Sequence, residues 1–188
     1  MVRFNSRTGA FLMGALIIAC VAAVMPPPAP TSGADDNPAI RLGVFDSRAI
    51  AIARVNSAGY QAEISGLRAQ IVKDIEAARA AGDTARVAEL EAIGPAMQKR
   101  MHEQGFGSAP VHEHLATLKN ALPGIAERAG VDAIVSKWEL VYQAPDARFV
   151  DVTMLLVAEF DPDERTLGWI EDLAGSRPIP VEELTHEH

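Results

Sequence analysis

The sequence predicts an α+β fold in which a small β-sheet body carries a projecting antiparallel helical hairpin and an extra C-terminal helix. Three observations support this prediction: a short alternating segment near residue 40, two long helical stripes flanking a glycine turn, and strand-like segments that follow the helices. Of the 188 residues, 48% are hydrophobic and 22% are charged, which is typical of one folded domain with extensions.

The N-terminal segment has the composition of an export signal. Arg3 and Arg7 precede an apolar run over residues 9–25, and a proline-rich stretch follows over residues 26–38. We therefore predict that residues 1–25 are a signal peptide or membrane anchor and that residues 26–38 are a Pro-rich linker. Because the two arginines would stay inside, the rest of the chain should face the periplasm, tethered to the membrane or released into the cell envelope.

Three fates of this segment stay open. The stretch "IIAC" is similar to a bacterial lipoprotein signal, which makes Cys20 a candidate for lipidation. An uncleaved transmembrane anchor is the second alternative, although the run is somewhat shorter than the roughly 20 residues that span a bilayer. The third is cleavage after the small residues 32–34.

The segment "AIRLGVFD" at residues 39–46 alternates apolar and other residues, which predicts a short strand. Asp46 or Ser47 can cap the helix that follows, because both side chains carry oxygens that accept backbone N–H groups. The helical arms are expected over about residues 47–103.

Apolar residues recur every three or four positions on both sides of Gly82, as expected for two helices that pack like a short coiled coil. The stripes consist of Ile64, Leu67, Ile71, Ile75 and Ala78, then Val87, Leu90, Ile93, Met97 and Met101. Gly82 suits the left-handed residue that ends the first arm, and Asp83 or Thr84 suits the cap of the second. Pro95 should kink or break the returning arm.

Beyond the arms we predict a third helix over about residues 111–129. The stretch "VDAIVSKWELVYQA", the turn "APDA" and "RFVDV" predict two further strands joined as a hairpin, with Thr153 capping a helix that extends to Phe160. Another helix should cover residues 163–173, and an extended acidic tail residues 174–188.

The sequence contains no motif that predicts chemistry. It lacks a Gly-rich phosphate loop, an H-E-x-x-H zinc motif and a G-x-S-x-G nucleophile elbow. His112 and His114 are two positions apart, on opposite faces of a helix, so they should not chelate one ion. We therefore assign no catalytic, cofactor-binding or metal-binding residue.

The charge distribution argues for and against particular classes of partner. The net charge of −8 and the aromatic content of 5% argue against nucleic acid as a partner. Residues 159–188 contain nine acidic residues against Arg165 and Arg177. This acidic end is either a solvated tail or a docking surface for a cationic partner.

The order of these elements resembles the OmpH/Skp-like family of periplasmic chaperones, of which this chain would be a divergent, acidic, short-armed member. The correspondence covers about residues 39–160 and places the Skp/OmpH-like domain at residues 39–173. The matching positions in the closing segment are Asp132, Val135, Val141, Tyr142, Asp151, Val152 and Thr153.

The resemblance implies a homotrimer whose strands join in a central β body and whose arms enclose unfolded membrane proteins. It implies a holdase without catalytic residues. We accordingly expect a non-enzymatic envelope protein that binds unfolded or partner proteins along its arms, and the expected contact residues are Ile64, Leu67, Ile71, Met97 and Met101. The alternative is an envelope scaffolding protein that docks a fixed partner through its acidic C-terminal region.

Overall fold

The computed structural model of the protein describes residues 40–184 and combines many helices with one small sheet. The predicted export segment, the Pro-rich linker and Cys20 lie outside the described residues, as do residues 185–188. Within the described part of the chain, no helix is long and apolar enough to cross a membrane. The mixed helix-and-strand composition confirms the α+β class.

The elements in chain order are β1 (Leu42–Phe45), α1 (Ser47–Asn56), α2 (Ala58–Ala81), α3 (Thr84–Glu91), α4 (Ile93–Gly105), α5 (His112–Ala116), α6 (Leu122–Ala129), β2 (Ala133–Ser136), β3 (Phe149–Asp151), α7 (Thr153–Ala158), α8 (Glu164–Leu173) and α9 (Val181–Leu184).

The sheet is parallel, with strand order β2-β1-β3. Val44 in the central strand lies opposite Val135 of β2 on one side and Asp151 of β3 on the other. Since all three strands run in the same direction, their carboxyl ends meet at one edge of the sheet. The residues that follow the strands therefore converge there.

The predicted hairpin over residues 141–153 is wrong. β3 pairs with β1 instead of with the preceding strand, and β2 ends at Ser136, well before Val141 and Tyr142. The connection from β2 to β3 has to run back along the sheet, and residues 137–148 do so without regular structure. The predicted role of Thr153 is also wrong, because Val152 occupies the N-cap position of α7 and Thr153 is the first residue of the helix.

The core lies around β1, α1 and α7. Ile50, Ile125 and Leu156 are fully buried, and α8 adds Thr166 and Ile170 to the buried residues. Gly43 allows this packing, because a Cβ there would come within 3.2 Å of a methyl group of both Val131 and Val152. The central strand thus has a glycine where neighbouring side chains need the space.

Local signals set the helix ends at several positions. Asp46 caps α1 by accepting a hydrogen bond from the Arg48 backbone N–H, and Asp83 caps α3 in the same way for Arg86. Gly82 ends α2 in the left-handed conformation, as predicted. The first predicted helix is divided at Ser57, whose hydroxyl accepts from the Tyr60 N–H and caps α2.

Two further segments differ from expectation. The third predicted helix is divided into α5 and α6, separated by turns over residues 117–121. The acidic segment is not extended throughout, because it contains α9 and because the Ile179 N–H donates to the carbonyl oxygen of Phe106 at 2.9 Å. The part of the acidic segment up to Leu184 therefore lies against the end of α4.

Two glycines of α2 give opposite predictions for an added methyl group. Gly82 has a φ of 71°, so Gly82→Ala should lower the free energy of unfolding by about 1 kcal/mol through backbone strain. Gly66 lies inside α2 with no atom within 4 Å of the added Cβ, so Gly66→Ala should raise it by about 0.5–1 kcal/mol. Urea denaturation of both variants checks the signs, and equal signs would contradict this assignment of the turn.

Candidate binding groove and buried charge cluster

Helix α2 and the returning chain contact each other at two places. Near the turn, Ala78 and Leu90 are buried where α2 packs on α3, and Arg79 forms an ion pair with Glu91 at 2.7 Å. Near the start of α2, the Tyr60 hydroxyl lies 3.7 Å from the Met101 sulfur. The two contacts hold the ends of the arms together.

Between these contacts the arms leave an open cavity of about 590 Å3, here called the arm groove. All five arm residues predicted to contact clients line it, and the structure thus brings them together on facing helices: Ile64, Leu67 and Ile71 on α2, Met97 and Met101 on α4. Their predicted role in client binding stays a prediction.

Pro95 explains why the returning arm is interrupted. α3 ends at Glu91 and α4 begins at Ile93, so the helical arm is broken at Ala92, three residues before the proline, as predicted. Proline has no backbone N–H to donate to the carbonyl oxygen four residues earlier, and its ring clashes with that carbonyl group. Both effects account for the break at this place. Pro95 and Gly94 both line the groove.

The groove combines an apolar floor with a polar rim. Leu67 is 41% exposed, although it is a large apolar side chain, and the other four predicted contact residues are half-buried. The rim adds mainly polar or charged side chains, among them Gln61, Arg68, Gln98 and His102. Apolar walls with a few polar groups are typical of sites that bind apolar ligand groups.

A second cavity of about 330 Å3 adjoins the groove near the start of α2, and Tyr60 lines both. The Arg54 guanidinium lies 5.1 Å from the centre of the Tyr60 ring and forms an ion pair with Glu63 at 2.6 Å. The His114 ring packs edge-on against Tyr60. Burial lowers the pKa of His114, so this ring is neutral near pH 7.

A cluster of buried charges lies at the carboxyl edge of the sheet, centred on Asp46. One carboxylate oxygen accepts from the Arg48 Nε at 3.1 Å and from the Trp138 Nε1 at 2.9 Å. The other accepts from an Arg48 terminal nitrogen and lies 2.8 Å from the Lys137 Nζ. Both cations also lie over the Trp138 ring, at 5.0 Å and 4.5 Å from its centre.

This cluster joins five elements through hydrogen bonds. The Asp46 backbone N–H donates to the Thr153 hydroxyl at the start of α7, which is the role that Thr153 has instead of capping. Arg48 donates to the carbonyl oxygens of Leu173 and Ser176 at the end of α8. Because both Asp46 oxygens are occupied by internal donors, the arrangement fits a structural junction better than a general base.

Burial acts to raise the pKa of Asp46, but hydrogen bonds from Arg48, Lys137 and Trp138 outweigh it and lower the pKa to about 2. Asp46 was identified in the sequence only as a helix cap. Its partners Lys137 and Trp138 are 91 and 92 positions away, and no local pattern indicates such a contact. The one available signal is that polar residues directly follow β1 and β2.

The two neighbouring histidines have separate partners. The Nε2 atom of His114 lies 3.1 Å from Gln104 in the interior, whereas His112 is exposed and lies 3.9 Å from Glu139. Among the described residues, no group of three or more His, Cys, Asp or Glu side chains is arranged to hold a metal ion.

Asp46→Asn should destabilise the protein by about 3–5 kcal/mol at pH 7, because it leaves the Arg48 charge buried without its carboxylate. The folded-state pKa of about 2 lies below the unfolded value of 3.8, so the carboxylate's contribution is complete above pH 4 and is lost as the pH falls towards 2.

The difference in unfolding free energy between wild type and Asp46→Asn should therefore shrink by about 1 kcal/mol between pH 6 and pH 3, as measured by urea denaturation. Asp163→Asn is a surface comparison: hydrogen bonds to Thr166 also lower the pKa of this capping carboxylate, but no buried cation loses its partner, so the loss of stability at pH 7 should be much smaller than for Asp46→Asn. A pH-independent difference for Asp46→Asn would contradict the buried ion pair.

The sequence matches no protein-family model and no curated protein, and the fold matches no solved structure.

Proposed function

We propose that the protein is a non-enzymatic component of the cell envelope that binds apolar segments of unfolded or partner proteins in the arm groove, in the manner of a Skp-like holdase. The observation that carries the proposal is the position of Ile64, Leu67, Ile71, Met97 and Met101 around one open cavity. The helical spacing of these residues is equally compatible with side chains that pack tightly against each other. The open cavity between them is therefore a separate observation.

The groove has the size and surface for such a role. A cavity of about 590 Å3 has room for several large apolar side chains of a bound segment. The methionines on one wall are flexible and polarizable, which suits binding of segments of differing shape. Residues 60–103, with seven acidic and six basic residues, impose little preference for the charge of the bound segment.

The assembly we propose is a trimer attached to the membrane through the N-terminal segment. Two features of the described region support an oligomer. β2 and β3 are the edges of a sheet of only three strands, and Val141 and Tyr142 are almost fully exposed in the segment between them. Short sheets with open edges and exposed apolar side chains gain stability from strands or surfaces of other chains.

Leu67 and Val72 provide a matched pair for testing the groove. Both are exposed apolar residues of α2, but only Leu67 lines the groove. Residues 39–188 form one compact unit, and this fragment should delay the aggregation of an unfolded outer-membrane protein in a light-scattering assay. We expect Leu67→Ser to require several-fold more protein for the same delay, because an apolar contact is lost, and Val72→Ser to act as wild type.

Equal activity of Leu67→Ser and wild type would remove the groove from the proposal. Failure of the wild-type fragment to delay aggregation would remove the holdase function itself. The melting temperatures of both variants should equal that of wild type, because the two side chains are already exposed.

The trimer is tested by native mass spectrometry of residues 39–188. We expect a mass of three chains, and we expect Tyr142→Asp to shift the population towards monomers because it places a charge on an exposed apolar site near the sheet edge. A monomer at all concentrations, with the fragment folded, would contradict the proposed assembly without affecting the groove.

A further inference from the structure

A second apolar cavity, here called the α8 pocket, lies between the end of α1, the end of α4 and α8. Its volume is about 470 Å3, and its lining consists of Ile52, Asn56, Phe106, Trp169, Asp172 and Leu173. It shares Asn56 with the arm groove, so the two cavities adjoin there.

The α8 pocket exposes aromatic surface in a chain that has little of it. Phe106 is 47% exposed and Trp169 is 40% exposed, although only 5% of the sequence is aromatic. Ile179, which is 41% exposed, lies beside Phe106 through its backbone hydrogen bond. Two exposed aromatic side chains that line one cavity, with a further exposed apolar residue next to one of them along the backbone, are typical of an interaction site, whereas scattered single residues are not.

The walls of this pocket are fixed by the buried structure. α8 packs on α1, and the Arg48 guanidinium donates to the Leu173 carbonyl oxygen at 3.2 Å, which ties the end of α8 to the charge cluster. The hydrogen bond from the Ile179 N–H to the Phe106 carbonyl oxygen holds the segment after α8 against Phe106. A partner would meet a cavity that is already formed, which lowers the entropic cost of binding.

The surroundings of the pocket are acidic. Residues 161–172 contain five exposed acidic side chains against one basic residue, Arg165. The Arg165 guanidinium lies 4.6 Å from the centre of the Trp169 ring, which shows that this indole accepts a cation on its face. Asp172, which lines the pocket, forms no ion pair within residues 40–184.

We propose that the α8 pocket docks a basic amphipathic segment of a partner protein. An apolar side chain of that segment enters between Trp169 and Phe106, and its lysine or arginine residues lie against Asp172 and the neighbouring acidic side chains. Apolar anchoring gives most of the affinity of such contacts, and complementary charge gives the orientation and the association rate. This proposal does not depend on the holdase function of the arm groove.

The acidic surroundings of the pocket also favour one of two candidate occupants, a second copy of this chain or a cationic partner. A second copy of this chain carries a net charge of −8 and its acidic α8 region would face the acids around the pocket. Like charges brought together in this way oppose binding. A cationic partner is instead attracted by the acidic side chains around the pocket. A basic segment therefore fits the pocket better than a second copy of this chain does.

The test uses the full chain in detergent and two labelled synthetic helical peptides with the same leucine pattern, one with lysine and one with glutamate on its polar face. Fluorescence anisotropy should show binding of the Leu/Lys peptide, weakening at higher salt, and no binding of the Leu/Glu peptide. Trp169→Ser should weaken binding at least about tenfold, because it removes the aromatic anchor. Met154→Ser, which changes another exposed large apolar residue, on α7 and outside the pocket, should bind as wild type.

Charge-reversal variants separate the pocket from general attraction to an acidic protein. Asp172→Lys should weaken binding several-fold, whereas Asp146→Lys makes the same charge change in the exposed segment between β2 and β3 and should not. Equal losses for both variants, or wild-type affinity of Trp169→Ser, would overturn the proposal. Loss of peptide binding in Leu67→Ser but not in Trp169→Ser would place the peptide in the arm groove and would also overturn it.

Discussion

The Asp46 carboxylate is the interaction on which the rest of the body depends. It follows the central strand, caps α1 and accepts from Arg48, Lys137 and Trp138, while its backbone N–H reaches Thr153. The ends of β1, β2, β3 and α8 are thereby tied to one buried group. A buried carboxylate is costly unless it is fully hydrogen-bonded, and here every available position is used, so the surrounding elements have little freedom to shift.

The arms, in contrast to the body, have few buried contacts. Ala78 is the only buried residue of α2, although the helix has 24 residues, and most of its surface faces solvent. A helix with so few buried contacts gains little from tertiary packing, and its local stability depends on caps, on the left-handed Gly82 and on surface ion pairs such as Arg79–Glu91. A firm body with lightly packed arms is a suitable arrangement for binding segments of variable shape, because the arms can adjust without disturbing the core.

The sequence predicted what local chemistry determines. The caps, expected at Asp46 or Ser47 and at Asp83 or Thr84, the turn at Gly82 and the break before Pro95 each follow from a few neighbouring residues. Five of the ten stripe residues line the arm groove. It failed where partners are distant. The segment after β2 resembled a hairpin because Val141 and Tyr142 have strand-forming side chains, but pairing of β3 with Val44 requires a choice among strands that local propensity does not make. The Asp46 cluster and the α8 pocket were missed for the same reason.

The two cavities differ in how strongly their shape and charge restrict what they bind. The arm groove has an apolar floor of aliphatic residues and methionines and lies within a nearly neutral part of the chain, so neither shape nor charge restricts its occupant strongly. The α8 pocket has fixed aromatic walls, an unpaired Asp172 within residues 40–184, and an acidic border. Both cavities are lined in part by α1, the helix that carries Arg48 of the charge cluster, and they adjoin at Asn56. Because of these differences in lining and charge, the binding proposed for the α8 pocket is selective for a basic segment, whereas the binding proposed for the arm groove tolerates apolar segments of differing shape.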